Sequence, residues 1–135
     1  MRIFIDSNLL IYLNVTSDAD TRISLEEFYV GLIREHDLYL DPIVLDELLW
    51  VSKRKYGIPY DVTSEFITSV VDPFVEVLPL GREEVLEAIT ILKYGLPPSD
   101  ALHLAAMKLN GIDVVVSEDR ELDRVPWIKR VWLDT

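Results

Sequence analysis

The chain has 135 residues, half of them apolar, and its 13 basic and 24 acidic side chains give a formal net charge of −11 at pH 7. A chain of this length can bury enough apolar surface to fold as one domain over residues 1–135, and the absence of cysteine excludes a thiol nucleophile, a disulfide framework and a thiolate zinc site. No apolar run approaches the ~20 residues of a membrane span, so we expect a cytoplasmic protein with no membrane partner, and the acidity taken alone argues against nucleic acid as a partner.

The first half of the chain alternates segments typical of strands with segments typical of helices. Short β-branched and aromatic runs predict strands, and apolar residues spaced by three and four predict helices. Asp41 and Pro42 open one of these helices as N-cap and first-turn proline, and its last turn before Gly57 is basic. The predicted elements are a strand at Arg2–Ile5, a short helix at Leu9–Leu13, a helix at Ser24–His36, a strand at Leu38–Leu40, a helix from Asp41 to Gly57 and a helix at Asp61–Val71.

The second half continues the same alternation. An amphipathic pattern ends at Gly95, and Pro97, Pro98 and Ser99 separate it from a largely apolar helix. The predicted elements are a strand at Phe74–Leu78, a helix at Arg82–Tyr94, a helix at Asp100–Asn110, a strand at Val114–Val116, one or two helical turns at Glu118–Leu122 and a strand at Arg130–Leu133. Strands that alternate with helices predict an α/β fold, with a mainly parallel central sheet of about five strands and helices on both faces.

Four of the acidic residues lie where a ligand site is expected. Asp6 ends the first strand and Asp119 follows the strand Val114–Val116, so both reach the carboxyl edge of the sheet if these strands are neighbours. Asp100 lies in the first turn of an apolar helix, and Glu47 lies inside an apolar stretch where an unpaired carboxylate is costly to bury. Three of them also have a structural explanation, since Asp100 can stabilise its helix end, Glu47 can point outward and Asp119 can belong to a solvated turn.

The combination of the four favours a metal site. Carboxylates that converge on one sheet edge repel each other unless a divalent cation neutralises them, and oxygen ligands suit Mg²⁺ or Mn²⁺. Metal ions held in this way activate water and offset the charge that develops on a phosphodiester. Such chemistry needs no cysteine, histidine or serine nucleophile, which matches the residues available.

Four segments carry a family resemblance that covers essentially the whole chain. In order and spacing they resemble the acidic motifs of the PIN-domain nucleases, and in particular those of the VapC-type toxins of toxin–antitoxin pairs. The segments are FIDSNLLIYL, PIVLDELLW, PPSDALHLAAM and VVVSEDRELDRV. The resemblance implies a Mg²⁺- or Mn²⁺-dependent endoribonuclease, a homodimer and a small antitoxin protein whose tail lies across the active site.

The resemblance also implies roles for individual residues. The acidic quartet that would hold the metal and carry catalysis consists of Asp6, Glu47, Asp100 and Asp119. Asn8 matches a polar residue that orients the first aspartate, Ser117 matches a small hydroxyl residue before the last acid, and Asp123 is a candidate outer acid. His103 lies one helical turn after Asp100, and we assign it a structural role.

An RNA substrate must meet a local basic patch, because the protein as a whole is acidic. The candidates are the basic residues at the end of the Glu47 helix and two arginines beside Asp119, namely Lys53, Arg54, Lys55, Arg120 and Arg124. Ordinary stabilisation of a helix terminus explains the first three equally well. Apolar stripes on the Ser24–His36 and Asp61–Val71 helices are candidate dimer or antitoxin surfaces, although core packing explains most such stripes.

Two other enzyme-like classes fail at named positions. An aspartate-nucleophile phosphatase needs a second aspartate two residues after the first, where this chain has Asn8. A receiver-type signalling domain needs paired acids after the first strand and an aspartate after the third, where this chain has Leu78 and Pro79. A protein-binding module that keeps the fold and acts mainly by sequestering a partner stays open as the alternative.

Overall fold

Five short strands form one parallel sheet in the computed structural model, which describes residues 1–133. The strands are β1 (Arg2–Ile5), β2 (Asp37–Leu40), β3 (Val75–Val77), β4 (Val114–Val116) and β5 (Lys129–Val131). Their order is β3-β2-β1-β4-β5, and every neighbouring pair is parallel. In register, Phe4 at the centre of β1 lies beside Tyr39 of β2 and Val115 of β4. All five strands therefore end at one edge, and the predicted α/β fold with a parallel sheet is confirmed.

Six α-helices and three shorter turns cover this sheet over residues 1–133. The helices are α1 (Ser7–Val15), α2 (Ala19–Glu35), α3 (Pro42–Tyr56), α4 (Tyr60–Phe66), α5 (Arg82–Ile91) and α6 (Pro98–Leu109). A π-helical turn follows α4 at Ile67–Val71, and 3-10 turns lie at Leu92–Tyr94 and Arg120–Arg124. Because crossovers between parallel strands are right-handed, α1 to α4 lie on one face of the sheet, and α5 and α6 lie on the other.

The core lies between these layers and is continuous. Strand β1 is at its centre, with Phe4 and Ile5 fully buried, and the apolar faces of α1, α3 and α6 pack against it. Helix α3 begins after the N-cap Asp41, whose carboxylate accepts hydrogen bonds from two backbone N–H groups, and ends at Gly57 in a left-handed conformation (φ 73°) that favours glycine. No helix within residues 1–133 is long and apolar enough to cross a bilayer.

The start of α2 differs from its prediction. The helix begins at Ala19 instead of Ser24, because the carboxylate of Asp18 caps it by accepting a hydrogen bond from the N–H of Thr21. Residues 19–24 are all exposed, Ile23 included, so the buried apolar spacing starts about one turn later than the helix does. An apolar stripe locates the buried part of a helix and not its solvated first turn.

Other boundaries shift for similar reasons. Helix α6 begins at Pro98, two residues before the predicted start at Asp100, because proline is compatible with the first turn of a helix. The helix predicted at Asp61–Val71 widens into a π-turn after Phe66, and the predicted short helix at Glu118–Leu122 is a 3-10 turn. The third strand is shorter than Phe74–Leu78, and the last one begins and ends earlier than Arg130–Leu133.

Candidate metal centre at the carboxyl edge of the sheet

Asp6 lies at the centre of the edge where the strands end. It directly follows β1, and its buried carboxylate caps α1: Oδ1 accepts a hydrogen bond from the N–H of Ser7 at 2.8 Å. Its other oxygen, Oδ2, accepts a hydrogen bond from the hydroxyl of Ser117 at 2.8 Å. Burial raises the pKa of Asp6 above its ordinary value, although the charge of His103 and the two hydrogen bonds oppose the shift. Burial thus disfavours the ionised form of Asp6, and a nearby cation would favour it.

Ser117, which follows β4, joins several groups of the site. Its hydroxyl donates to Asp6 and accepts hydrogen bonds from the side-chain amide of Asn8 at 3.3 Å and from the N–H of Asp119 at 3.1 Å. Asn8 therefore orients Asp6 through Ser117 and does not contact it directly. The side-chain oxygen of Asn8 also accepts a hydrogen bond from the N–H of Glu118, which ties α1 to the loop after β4.

Glu47 reaches the same edge from the second turn of α3. Its Oε1 lies 3.0 Å from Nε2 of His103, and its Oε2 lies 3.4 Å from the hydroxyl of Ser7. One ligand atom each from Asp6, Glu47 and His103 lies within 4.8 Å of the others, a spacing that one metal ion can bridge. The carboxylate of Glu47 is therefore paired inside the site, and the outward orientation considered from the sequence does not occur.

Asp100 and Asp119 form a second group with Glu121, also within 4.8 Å of one another. Asp100 lies in the first turn of α6, and Asp119 caps the following 3-10 turn by accepting a hydrogen bond from the N–H of Glu121 at 2.9 Å. Burial raises the pKa of Asp100 to about 7, and the charge of Asp6 is the next largest cause, followed by smaller contributions that include Asp119 and Glu47. The four carboxylates of the quartet thus act on one another across a single edge. Glu121 was not singled out from the sequence.

His103 lies inside this cluster, although the sequence favoured a structural role for it. The ring is 4% exposed, with Nδ1 2.7 Å from Oδ2 of Asp41 and Nε2 3.9 Å from Oδ1 of Asp6. Burial alone would lower the pKa of the imidazole, but hydrogen bonds to Asp41 and Glu47 and the charges of Asp41 and Asp6 outweigh it and raise the pKa to about 10. At neutral pH the ring is an imidazolium that offsets part of the negative charge of the site.

Asp41 is the residue that the sequence analysis missed as a member of the site. It was predicted only as the N-cap of α3, and its Oδ1 does accept hydrogen bonds from the N–H groups of Ile43 and Val44. Its Oδ2 faces the His103 ring. A histidine in a largely apolar helix requires a buried polar partner, which signals that such a partner exists but does not identify it as Asp41.

Asp123, the candidate outer acid, does not join either group. Its carboxylate forms a two-pronged ion pair with Arg130, at 3.0 and 3.2 Å, and this pairing lowers the pKa of Asp123. Arg130 in turn donates a hydrogen bond to the backbone carbonyl of Ser117 at 3.1 Å. Asp123 therefore supports the loop that carries Ser117 and does not face the cluster.

The donor set fits a hard divalent cation. The residues that could hold one offer carboxylate oxygens from four separate elements, whereas the protonated ring of His103 has no free lone pair. Hard cations with a preference for oxygen are the ions that such a set binds. The pKa values of Asp6 and Asp100 are raised because burial and neighbouring carboxylates disfavour the ionised form. A bound cation would offset this effect.

Comparisons with known proteins agree on one family. The sequence model of the PIN domain matches residues 3–128. Ribonuclease VapC13 of Mycobacterium tuberculosis is 36% identical over 137 residues, an alignment that covers 96% of this chain and 98% of that protein. Among solved structures, the Sarcin-Ricin loop cleaving toxin VapC20 of Mycobacterium tuberculosis superposes with a TM-score of 0.74 at 16% identity, over 93% of this chain and 96% of that one. VapBC2 of Rickettsia felis, solved bound to a DNA fragment from its promoter, gives a TM-score of 0.72 at 17% identity, over 98% of both chains.

Proposed function

Because the chain belongs to the PIN domain family, we propose that it is a metal-dependent endoribonuclease and the toxin of a toxin–antitoxin pair. The observation that supports the proposal is a pair of acidic groups, one with Asp6 and Glu47 and one with Asp100 and Asp119, close enough that the charges of the other three carboxylates raise the pKa of Asp100. A relative that is 36% identical over nearly its whole length and is named a ribonuclease supports it.

The chain's own residues have distinct tasks in this function. Asp6 and Asp100 are the principal metal ligands, and Glu47 and Asp119 complete the site. We assign Mg²⁺ or Mn²⁺ because oxygen donors dominate the set. A bound cation of this kind lowers the pKa of a water ligand and offsets charge on the phosphodiester. Ser117 and His103 hold Asp6 and Glu47 in place through the hydrogen bonds described above.

An apolar groove supports a protein partner. It lies between α2 and the π-turn, where Tyr29, Val30 and Ile33 face Phe66 and Phe74, so both helices with predicted apolar stripes line it. Val30 and Phe74 are exposed there. We propose that an antitoxin covers this groove with an apolar segment and places a basic tail against the acidic edge, where opposite charges attract. A homodimer stays an expectation from the family.

The test of activity is cleavage of a mixed RNA pool with Mg²⁺ or Mn²⁺, and again with chelator. We expect cleavage only with metal, and a rate lowered by about 100-fold or more in Asp6→Asn and Asp100→Asn, because each substitution removes a metal ligand. Asp113→Asn is the matched control, since that exposed acid precedes β4 at the end of the strand away from the acidic cluster. Cleavage that continued at the wild-type rate in either ligand variant would contradict the site assignment.

The proposed partner has a separate test. A short open reading frame beside this gene, encoding a small DNA-binding protein with a basic tail, is the expected antitoxin. Co-expression of the two proteins should yield a complex in which RNA cleavage is blocked. A protein that sequestered partners without cleaving RNA under any metal would instead fit the alternative of a binding module.

A further inference from the structure

The carboxyl half of α3 carries a shallow cleft lined by two aromatic and two basic side chains. These are Trp50, Lys53, Arg54 and Tyr60, and we call them the α3 cleft. The ammonium of Lys53 lies 4.3 Å from the ring centre of Tyr60, and the guanidinium of Arg54 lies 5.8 Å from the ring centre of Trp50. Trp50 is 54% exposed and Tyr60 is 40% exposed. The cleft therefore offers flat aromatic faces and positive charge on the same small surface.

The two positive charges of the α3 cleft are available to a ligand. Within residues 1–133, four other basic side chains are paired with carboxylates, namely Arg22, Lys108, Arg124 and Arg130. Over the part of the chain that the structure describes, Lys53 and Arg54 have no carboxylate within ion-pair distance. A basic site that keeps its charge free on a surface of net charge −11 is suited to an anionic partner.

The α3 cleft lies beside the candidate metal centre. Glu47, Trp50 and Arg54 are spaced by three and four along α3, so they share one face of the helix. With a rise of 1.5 Å per residue, the Trp50 backbone is about 4.5 Å and the Arg54 backbone about 10.5 Å further along the axis than that of Glu47. A nucleic-acid strand that reached the metal centre would continue along this face of α3.

Stabilisation of the helix end does not explain the whole arrangement. Basic residues in the last turn of α3 do interact favourably with its negative end. That role requires neither Trp50, which lies before the last turn, nor Tyr60, which lies beyond the helix. Exposed aromatic rings that alternate with unpaired basic groups are the combination that binds single-stranded nucleic acid, since bases stack on the rings and phosphates contact the cations.

We propose that the α3 cleft is a subsite for single-stranded RNA next to the cleavage site. Unpaired bases stack on Trp50 and Tyr60, and the phosphates between them contact Lys53 and Arg54. The inference rests on the proposed ribonuclease function and adds to it how an acidic protein holds its substrate. Because each base pair of a duplex is stacked between its neighbours, the faces of the bases are not free there, and the cleft favours unpaired RNA over a duplex.

Binding is measured without cleavage, using the full chain in chelator at low salt and a labelled, unstructured RNA oligonucleotide followed by fluorescence anisotropy. Lys53→Ala and Arg54→Ala should each weaken binding and lower the dependence of log affinity on log salt by about 0.7. Trp50→Ala and Tyr60→Ala should weaken binding about tenfold with little change in the salt dependence. A duplex of the same sequence should bind less tightly than the single strand.

Two variants serve as matched controls. Lys129→Ala removes one exposed positive charge at the start of β5, at the edge of the sheet opposite the acidic cluster. Ile89→Ala removes an exposed apolar side chain of α5, on the other face of the sheet from α3. Neither should change RNA affinity by more than about twofold. If Lys53→Ala matched Lys129→Ala, and Trp50→Ala matched Ile89→Ala, the α3 cleft would not be an RNA subsite.

The mass of each variant in solution and the cleavage activity of the wild type separate the remaining outcomes. If Trp50→Ala altered the oligomeric state and left RNA affinity unchanged, the cleft would be an interface between copies of the chain. That result would overturn the proposal. If the wild type cleaved RNA with metal but all four cleft variants bound RNA as tightly as the wild type, the proposed subsite would be wrong and the proposed function would stand. A wild type that neither bound nor cleaved RNA would overturn the proposed function as well.

Discussion

The carboxylate of Asp41 and the imidazole of His103 meet at 2.7 Å in the interior of the protein, although the residues are 62 positions apart. Asp41 is completely buried, and its second oxygen is held by backbone N–H groups at the start of α3. The far side of the imidazole contacts Glu47, which lies on α3 as well. A residue of α6 thus bridges the first two turns of α3 and ties the core to the metal centre.

Removal of His103 should destabilise the protein. His103→Ala leaves the carboxylate of Asp41 buried without its cationic partner, and breaking such a pair costs about 3 kcal/mol. Urea unfolding of the metal-free protein at pH 7 measures the loss. His36→Ala changes the other histidine, whose ring lies 3.9 Å from the exposed Glu35, and it should stay within about 0.5 kcal/mol of the wild type. Equal stability of the two variants would show that the Asp41–His103 pair contributes nothing.

The stability of the metal-free protein should fall as pH rises from 5 to 9. The pKa of Asp100 is raised from 3.8 to about 7, so between these values the native state keeps a proton that the unfolded chain has lost. The pKa of His103 is raised from 6.5 to about 10, so the native state again keeps the extra proton in that window. In both windows the free energy of unfolding decreases with pH. Melting temperatures at pH 5, 7 and 9 in chelator test this, and a rising or flat profile would contradict it.

Asp100→Asn should stabilise the metal-free protein at neutral pH. The substitution removes a carboxylate whose ionised form is disfavoured by burial and by the charge of Asp6. After allowance for its partial exposure to solvent, we expect a gain of ~1–2 kcal/mol, seen as a melting temperature higher by a few degrees. Asp123→Asn is the opposite control, because its carboxylate is stabilised by Arg130 and its loss should not raise the melting temperature. A melting temperature lowered by Asp100→Asn would indicate a structural role for Asp100.

Binding of a divalent metal ion should raise the free energy of unfolding of the wild type. A divalent cation that binds only the native state at 100 times its dissociation constant adds about 2.7 kcal/mol to the free energy of unfolding. We expect Mn²⁺ to raise the melting temperature of the wild type and not that of Asp100→Asn or Asp119→Asn. Glu118→Gln is the control, since that carboxylate bonds the Tyr12 hydroxyl and belongs to neither cluster. A wild-type melting temperature that did not respond to Mn²⁺ or Mg²⁺ would argue against a metal centre.

The position of the acids along the sheet edge could be predicted from the sequence because it depends on short-range patterns. Asp6 and Asp119 each follow a buried strand, and parallel strands end together. The link between Asp41 and His103 could not be predicted in this way. Each residue already had a sufficient local explanation, as a helix cap and as a core histidine. Only the tertiary fold, in which α3 and α6 reach the same sheet edge from opposite faces, brings the two side chains together.

The pairing of β1 with β4 determines when this site can exist during synthesis. Asp6 is synthesised 111 residues before Ser117, whose hydroxyl orients its carboxylate, and the backbone group that bonds the N–H of Asp6 belongs to Val116. Until β4 and the residues that follow it have been made, the central strand lacks one neighbour and the acidic cluster lacks Asp119. A chain that stops before Asp119 therefore cannot assemble the candidate metal centre, so the proposed nuclease site forms only after this segment has been translated.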